Sequence, residues 1–537
     1  MVMGLGNDFE RTGAALNRKG RRFMGRFLAK RDGGVAMIFA IAFVPLLVLT
    51  LTAIDFHRAS TVKGALQDAL DSAALAAARS QTTDPNELRR IGQRVLDVNM
   101  QAFPDVTLTA KNFLLRADGT VEAKATATVK PMVANMFIGH DLGVSVDTEV
   151  VRANDKLEIV LVLDNTGSME ENNKIGTLRT AATDLVNNLF EAAKVNPEPD
   201  AIKVGLVPFS MTVRVDSSYQ NANWIDGSNR SSLHGQVFDN GAGNRFSALQ
   251  RMKIGWAGCV ESRPYPFDVQ ETAPSHSNSE TLFVPYFAPD EPDVHAWRSN
   301  NRWKSLGKSD VQNDYLPDAV KSSDAGNWMA RLLNGNKYGT SGLNTSGGRG
   351  PNWGCTLQTV ERLTTDPTDI KTAISKMTPS GNTNIPMGLV WGWHVLTPLA
   401  PFGDGAPYTD KDVTKIAILM TDGTNVMNTS DNPNDSNYSG LGYVWAKRLG
   451  NSIDVGSSES ARRNVMNARL TELCTNMKAK KIVIYTIGFD VPDASTLTLL
   501  KGCATENANF YDAKNAADLT KAFENIAAQI SRLRISK

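Results

Sequence analysis

An uncharged stretch runs from Gly33 to Ile54, and its centre, VAMIFAIAFVPLLVLTLTAI, spans 20 residues from Val35 to Ile54. As a helix this segment would be about 30 Å long, the thickness of a bilayer's hydrocarbon core. It is apolar on every face, and a membrane span is expected in preference to a buried helix of a soluble domain. Pro45 is tolerable inside it, because neighbouring hydroxyls such as Thr50 can help to satisfy freed carbonyls. A cleaved signal peptide would have a shorter apolar region, of about 7–15 residues. Residues 1–31 hold eight Lys/Arg against Asp8 and Glu10. That basic flank predicts a cytoplasmic N-terminus, with everything after Asp55 on the other side of the membrane.

The whole chain has 537 residues and a net charge of +1, which suits several units and offers no bulk attraction to nucleic acid. Four cysteines, Cys259, Cys355, Cys474 and Cys503, all lie beyond the apolar segment. An even number in an exported domain predicts two disulfides. Three connectivities are possible, and pairing of near neighbours gives Cys259–Cys355 and Cys474–Cys503.

Past the apolar run, residues 58–80 are rich in Ala and Leu, with Val62, Leu66, Ala69, Leu70 and Ala73 at helical spacing. This predicts that the membrane helix continues as a stalk. A second helix is expected from Pro85 to about Met100. Residues 106–152 then alternate with period two, and Asp118-Gly119 marks a hairpin. The segment from 57 to 154 therefore reads as a helical stalk with a small α+β module.

From Leu157 the pattern changes to continuous apolar runs, LEIVLVL, AIKVGLVPF, KIAILM and KIVIYTIG, separated by helical stretches near 174–194, 386–397, 459–479 and 516–533. Apolar strands alternating with helices predict a doubly wound α/β fold with a parallel sheet. Residues from about 215 to 350 break this rhythm, yet six of the nine tryptophans fall between 215 and 355. Disordered segments are poor in aromatics, so an ordered, loop-rich insertion near the ligand-binding rim is expected.

Asp164 and Asp422 each follow an apolar strand directly, which places both at the carboxyl edge of the sheet, where α/β folds bind ligands. Gly381-Asn382-Thr383-Asn384-Ile385 should form a third loop there. In Asp164-x-Thr166-x-Ser168, alternate residues offer one carboxylate and two hydroxyls. Such oxygen donors suit a hard cation, Mg²⁺ or else Mn²⁺ or Ca²⁺. Any one of these residues alone could equally cap a helix or a turn. The six histidines, His57, His140, His234, His276, His295 and His394, lack zinc-ligand spacing. No G-x-S-x-G or phosphate-loop motif occurs, and no nucleophile–base set stands out, so no enzymatic activity is expected. Asp290, Glu291 and Asp293 read as a solvated acidic turn. Asp431 and Asp435 are expected in the loop after Asp422, on the metal face.

Asp-x-Thr-x-Ser, Gly-Asn-Thr-Asn-Ile and Met-Thr-Asp-Gly, in this order, resemble a von Willebrand factor A domain with its metal-ion-dependent adhesion site. The resemblance covers about 155–214 and 355–537. It implies Asp164, Thr166, Ser168, Thr383 and Asp422 as metal ligands, with Thr166 in place of the family's usual Ser. The segment GGVAMIFAIAFVPLLVLTLTAIDFHRAS, followed by LQDALDSAALAAA, resembles the TadE/TadG proteins of Flp (tight-adherence) pilus assembly, and the combination is TadG-like. Phe39 stands where the processed minor pilins of that system carry Glu, five residues after the cleavage Gly, so prepilin-type cleavage is not expected.

These resemblances imply a protein-binding component of pilus assembly in the bacterial inner membrane, anchored through residues 33–56. Residues 1–32 would be cytoplasmic and the domain at 155–537 periplasmic. The expected partner is a pilin or another part of the assembly machinery, not nucleic acid. The alternative is a surface adhesin that grips a host or matrix protein through the same metal site.

Overall fold

Both periodicities of the sequence become architecture in the computed structural model, which describes residues 34–80, 82, 84–116, 120–131, 141–151, 156–194, 200–239, 244–292, 296–299, 302–305, 313–317, 328–430, 432 and 434–533. The basic segment 1–32, the Asp118-Gly119 turn, His140, Asp293, His295 and Asp431 lie outside the described residues. The chain divides into two units, Met1–Arg152 and Ala153–Lys537.

The first unit begins with α1 (Gly34–Arg79), a single helix of 46 residues, roughly 70 Å at 1.5 Å per residue. Its two parts differ in what surrounds them. From Met37 to Leu49 nine large apolar side chains are 41–70% exposed. This is the one helix among the described residues that is long and apolar enough to cross a membrane. Further along, Leu66, Leu70, Ala73 and Ala77 are buried against α2 (Pro85–Met100) and a three-stranded antiparallel sheet, β1 (Val106–Leu115), β2 (Thr120–Val129) and β3 (Leu142–Val151). Asp84 caps α2 through the backbone N–H of Asn86, at 2.9 Å. Gly92 brings this helix against the sheet, since a Cβ there would lie 2.5 Å from the Phe113 ring.

The expected role of Thr50 needs correction. Its hydroxyl donates to the carbonyl of Leu46 at 2.7 Å. Proline 45 frees the carbonyl four residues before it, that of Ile41, which lies beyond reach of Thr50. A helical hydroxyl bonds one turn back from its own position, so it serves a carbonyl that is already paired.

The second unit is built on β4 (Lys156–Asp164), α3 (Lys174–Ala193), β5 (Ile202–Phe209), β6 (Val213–Arg214), α4 (Arg245–Met252), β7 (Cys259–Val260), β8 (Ala296–Ser299), β9 (Arg302–Ser305), α5 (Trp328–Leu333), β10 (Glu361–Thr364), α6 (Pro367–Ser375), α7 (Ile385–Leu396), β11 (Val413–Thr421), α8 (Glu459–Ala479), β12 (Val483–Phe489), α9 (Ala494–Cys503), β13 (Phe510–Ala513) and α10 (Ala516–Leu533). The main sheet runs β13-β12-β11-β4-β5-β6-β7, with β10 also paired to β5. Strands β13, β12, β11, β4 and β5 are mutually parallel. The sheet is therefore parallel-rich, and both of its faces are covered.

Strand β4 shows why its sequence is apolar throughout. Leu157, Ile159, Leu161 and Leu163 pack with α3, α6 and α10 on one face. Val160 and Val162 pack with α7, α8 and α9 on the other. Successive side chains point to opposite faces, so a strand covered on both sides needs apolar residues at every position. Helix α7 lies close to the sheet because Gly388 and Gly392 face it. A Cβ at Gly388 would meet Phe209 Cγ at 2.4 Å, and one at Gly392 would meet Val162 at 2.5 Å. Helices α6 and α9 were not anticipated; both are short, and each begins at an Asp cap, Asp366 or Asp493.

Residues between β5 and β10 extend the α7 side of the core. Trp224, Phe283, Tyr286, Tyr315 and Tyr338 are buried there. The ring of Trp224 meets that of Trp391 on α7 edge-on, at 6.4 Å. Disulfides join Cys259 to Cys355 and Cys474 to Cys503.

The two described acids of the acidic turn are not solvated. Asp290 and Glu291 are 0% and 2% exposed. Asp290 accepts the backbone N–H groups of Tyr315 and Leu316 at 2.6 and 2.7 Å, and Lys337 pairs with it at 2.9 Å. Loop-rich chain leaves backbone donors without ladder partners, and a buried carboxylate can satisfy them. Burial pushes Asp290 up to about 6, against the opposing pull of Lys337.

A second buried acid organises the same region. Glu261 pairs with Arg245 and Arg448 and accepts the Tyr438 hydroxyl. Burial alone would raise it, but the two guanidinium groups outweigh burial and hold it below the ordinary carboxylate range. Glu261→Ala leaves two buried cations without their counter-charge, which should cost about 3–5 kcal/mol in urea unfolding. In the unsubstituted chain this contribution is present at neutral pH and is lost only as pH falls through the lowered pKa.

Candidate metal-binding site at the strand ends

Chain order reverses across the pair β4–β11: β5 follows β4 on one side, while β11, β12 and β13 extend on the other. A parallel sheet opens a crevice beyond its carboxyl ends at such a point. Asp164 ends β4 and Asp422 follows β11, so both carboxylates are placed at that crevice.

The side chains meet. Asp164 is 0% exposed and accepts the Thr166 backbone N–H at 2.8 Å and the Thr421 hydroxyl at 2.6 Å. The hydroxyls of Thr166 and Ser168 are 3.1 Å apart. Ser168 donates to Asp422 at 2.7 Å. The loop at 380–384 is tied to the same edge, with Gly167 N–H bonded to the Gly381 carbonyl at 3.0 Å and Ser380 N–H to the Asn165 carbonyl at 2.9 Å. Thr383 is 5% exposed, and its hydroxyl lies 3.9 Å from where a Cβ on Gly423 would stand. It makes no side-chain hydrogen bond among the described residues. Asp164, Thr166, Ser168 and Asp422 thus form one bonded cluster, and Thr383 lies beside it.

Three residues here were not anticipated. Thr421 orients Asp164. Lys174, the first residue of α3, donates to Asp422 at 3.2 Å and pairs with Asp490 at 3.3 Å. Asp490 directly follows the apolar strand β12. The strand-end rule that singles out Asp164 and Asp422 would have found it too. Lys174 carried no such signal, because a lysine opening a helix after a polar turn reads as surface. Asp435 sits in the turn after Asp422, with positive φ of 50°.

The electrostatics are those of crowded negative charge. Burial, then the neighbouring Asp422, pushes Asp164 up to about 7, against hydrogen bonds from Thr166 and Thr421 that favour its charged form. Burial disfavours the Lys174 ammonium, but Asp422 and Asp490 more than reverse that and raise it. Among the described residues no group of three or more His, Cys, Asp or Glu could hold a metal ion. A cation at this edge would therefore depend on two carboxylates, hydroxyls and water. That all-oxygen, low-charge donor set fits Mg²⁺, which usually keeps several waters. A pocket of about 350 Å³ borders the site, lined by Gly381, Asn382 and Met427 and, from the insertion side, by Gly347 and Trp353.

Residues 33–80 match the Tad family model, described as "Putative Flp pilus-assembly TadE/G-like", and this match coincides with α1. No curated protein matches the chain. Among solved structures, the pilus adhesin SpaC from Lactobacillus rhamnosus GG aligns at 13% identity with a TM-score of 0.32, over 81% of this chain and 35% of that one. The present chain thus spans about a third of that adhesin. The vWF domain of the type V pili tip protein Mfa5 from Porphyromonas gingivalis aligns at 13% identity and TM-score 0.32, over 71% of this chain and 97% of that one. The pilus adhesin RrgA from Streptococcus pneumoniae aligns at 11% identity and TM-score 0.28, over 80% and 50%. Similarity at these scores carries no weight for mechanism.

Proposed function

We propose that this chain is a membrane-anchored component of Flp/Tad pilus assembly whose second unit is a doubly wound von Willebrand factor A domain that grips a protein partner through a divalent cation. One observation carries the reading: Asp164, Thr166, Ser168 and Asp422, drawn from segments more than 250 residues apart, form one hydrogen-bonded cluster where the chain order reverses. Independent capping roles would not bring four such residues together. The TadE/G-like match at 33–80 supports the pilus context.

In this reading Asp164, Thr166, Ser168, Thr383 and Asp422 hold Mg²⁺, directly or through water. The bound cation would supply an open position for a carboxylate of the partner. The protein's own part is to keep hydroxyls in the donor set, so that little of the cation's charge is cancelled. Lys174 donates to Oδ2 of Asp422 and bridges that carboxylate to Asp490. The role is binding rather than catalysis, with α1 holding the unit at the inner membrane and the periplasm as its compartment.

Crosslinking the full-length protein in its native membrane, in Mg²⁺ and in EDTA, tests this directly. A pilin or assembly subunit should be captured in Mg²⁺ and lost in EDTA. The same partner recovered equally in both would overturn the metal dependence.

A further inference from the structure

A second pocket, of about 460 Å³, opens between the insertion and α8. It falls within the range of ligand sites, about 300–1,000 Å³. Its wall is rich in cations, two of them paired from behind, Arg448 with Glu261 at 2.8 Å and Arg469 with Asp268 at 2.7 Å. Arg263, Lys447, Arg448 and Arg469 line it against the single carboxylate of Glu472. Its remaining wall includes the apolar Leu441, Leu449 and Val465.

Arg448 is a built element of this pocket. Its side chain is 4% exposed. One nitrogen reaches Glu261 and Nε reaches Gln236, each bond being 2.8 or 2.7 Å. The other terminal nitrogen, Nη2, is buried and has no acceptor. Gly442 makes room for this guanidinium, because a Cβ there would stand 3.0 Å from Nε. A buried donor without an acceptor is unfavourable, and a ligand oxygen is the natural complement.

The rim adds an aromatic surface. Tyr265 is 56% exposed, the most exposed large apolar residue of the second unit among those described. It is not a free side chain: Arg469 lies over its ring at 5.6 Å and its hydroxyl reaches Glu472 at 3.2 Å. An exposed tyrosine held in place beside arginines is the composition of an interface anchor. Lys447, at the other side, has no side-chain partner among the described residues.

We propose that this pocket binds an acidic peptide segment of a protein partner, with a Glu or Asp carboxylate against Arg448 and Lys447 and the adjacent apolar side chain laid on Tyr265. The apolar wall favours peptide over a sulfated sugar or free phosphate, which would have no use for Leu449 and Val465. This site is separate from the strand-end cluster and needs no metal.

The test uses the full-length protein in nanodiscs, in EDTA, with a fluorescein-labelled, capped Leu-Glu-Leu-Glu peptide read by fluorescence anisotropy. The acidic peptide should bind, and its Leu-Gln-Leu-Gln counterpart should not. Lys447→Asn, which keeps a residue tolerant of the positive φ of 56° at that position, and Tyr265→Ala should each weaken binding about tenfold, the worth of one charge-assisted or anchor contact. Both variants should melt like the parent, and Asp164→Ala should bind the peptide unchanged. Equal binding of the two peptides, unchanged affinity in both pocket variants, or displacement by inorganic phosphate or a sulfated disaccharide in preference to the peptide would overturn the proposal.

Discussion

Asp164→Ala should leave the second unit folded while removing its response to Mg²⁺. For the unsubstituted chain, Mg²⁺ at about one hundred times its Kd should stabilise the fold by about 2.7 kcal/mol, read as a rise in melting temperature. The variant should show no such rise, and its Mg²⁺-dependent capture of partner should fall to the EDTA level. The far-UV circular dichroism should not change, because Asp164 ends its strand and contributes no side chain to either apolar face. A melting temperature that still rises with Mg²⁺ would show that the cation binds elsewhere.

The same residue gives a pH signature in EDTA. The Asp164 carboxyl is raised from 3.8 to about 7 by burial and by Asp422. A raised carboxyl favours the folded state while protonated. Its contribution is full below the ordinary value and is lost as pH rises through about 7. Metal-free stability should therefore decline across that window. Asp164→Asn, which cannot ionise, should decline less, so the difference between the two isolates this residue from Asp268 and Asp290, which are also raised.

Deleting residues 1–56 should move the protein entirely from the membrane to the soluble fraction. Eleven large apolar side chains from Met37 to Phe56 are 41–74% exposed. At about 1.5–3 kcal/mol each, their transfer out of water is worth on the order of 20 kcal/mol. One charged substitution, costing about 3 kcal/mol at a bilayer centre, would not release the chain, whereas the deletion would. The part of α1 that packs on the sheet, from Val62 onward, is retained, so the first unit should keep its core. A deleted protein that still sediments with membranes would overturn the assignment of α1 as the anchor.

The sequence determined those features whose physical cause is local. An uncharged run of 20 residues, apolar but for two threonines, has one economical environment, and it forms the exposed part of α1. Strands buried on both faces must be apolar at every position, which made β4, β5, β11 and β12 legible. Asp164 and Asp422 were legible for the same reason, since a carboxylate ending such a strand can only project at the sheet edge.

What only the tertiary structure decided are relations between distant segments. Lys174 reads as an ordinary helix-opening lysine until Asp422 and Asp490 arrive from other strands and bury it. Asp290 and Glu291 read as a solvated turn until their carboxylates meet unpaired backbone donors from residues 313–316. Arg448 becomes informative only when its guanidinium is placed, with Nη2 buried and no acceptor beside it. Periodicity reports whether a side chain faces the interior, because burial repeats with the backbone. It carries no record of which charge stands opposite, because that pairing is set by three-dimensional packing across hundreds of residues.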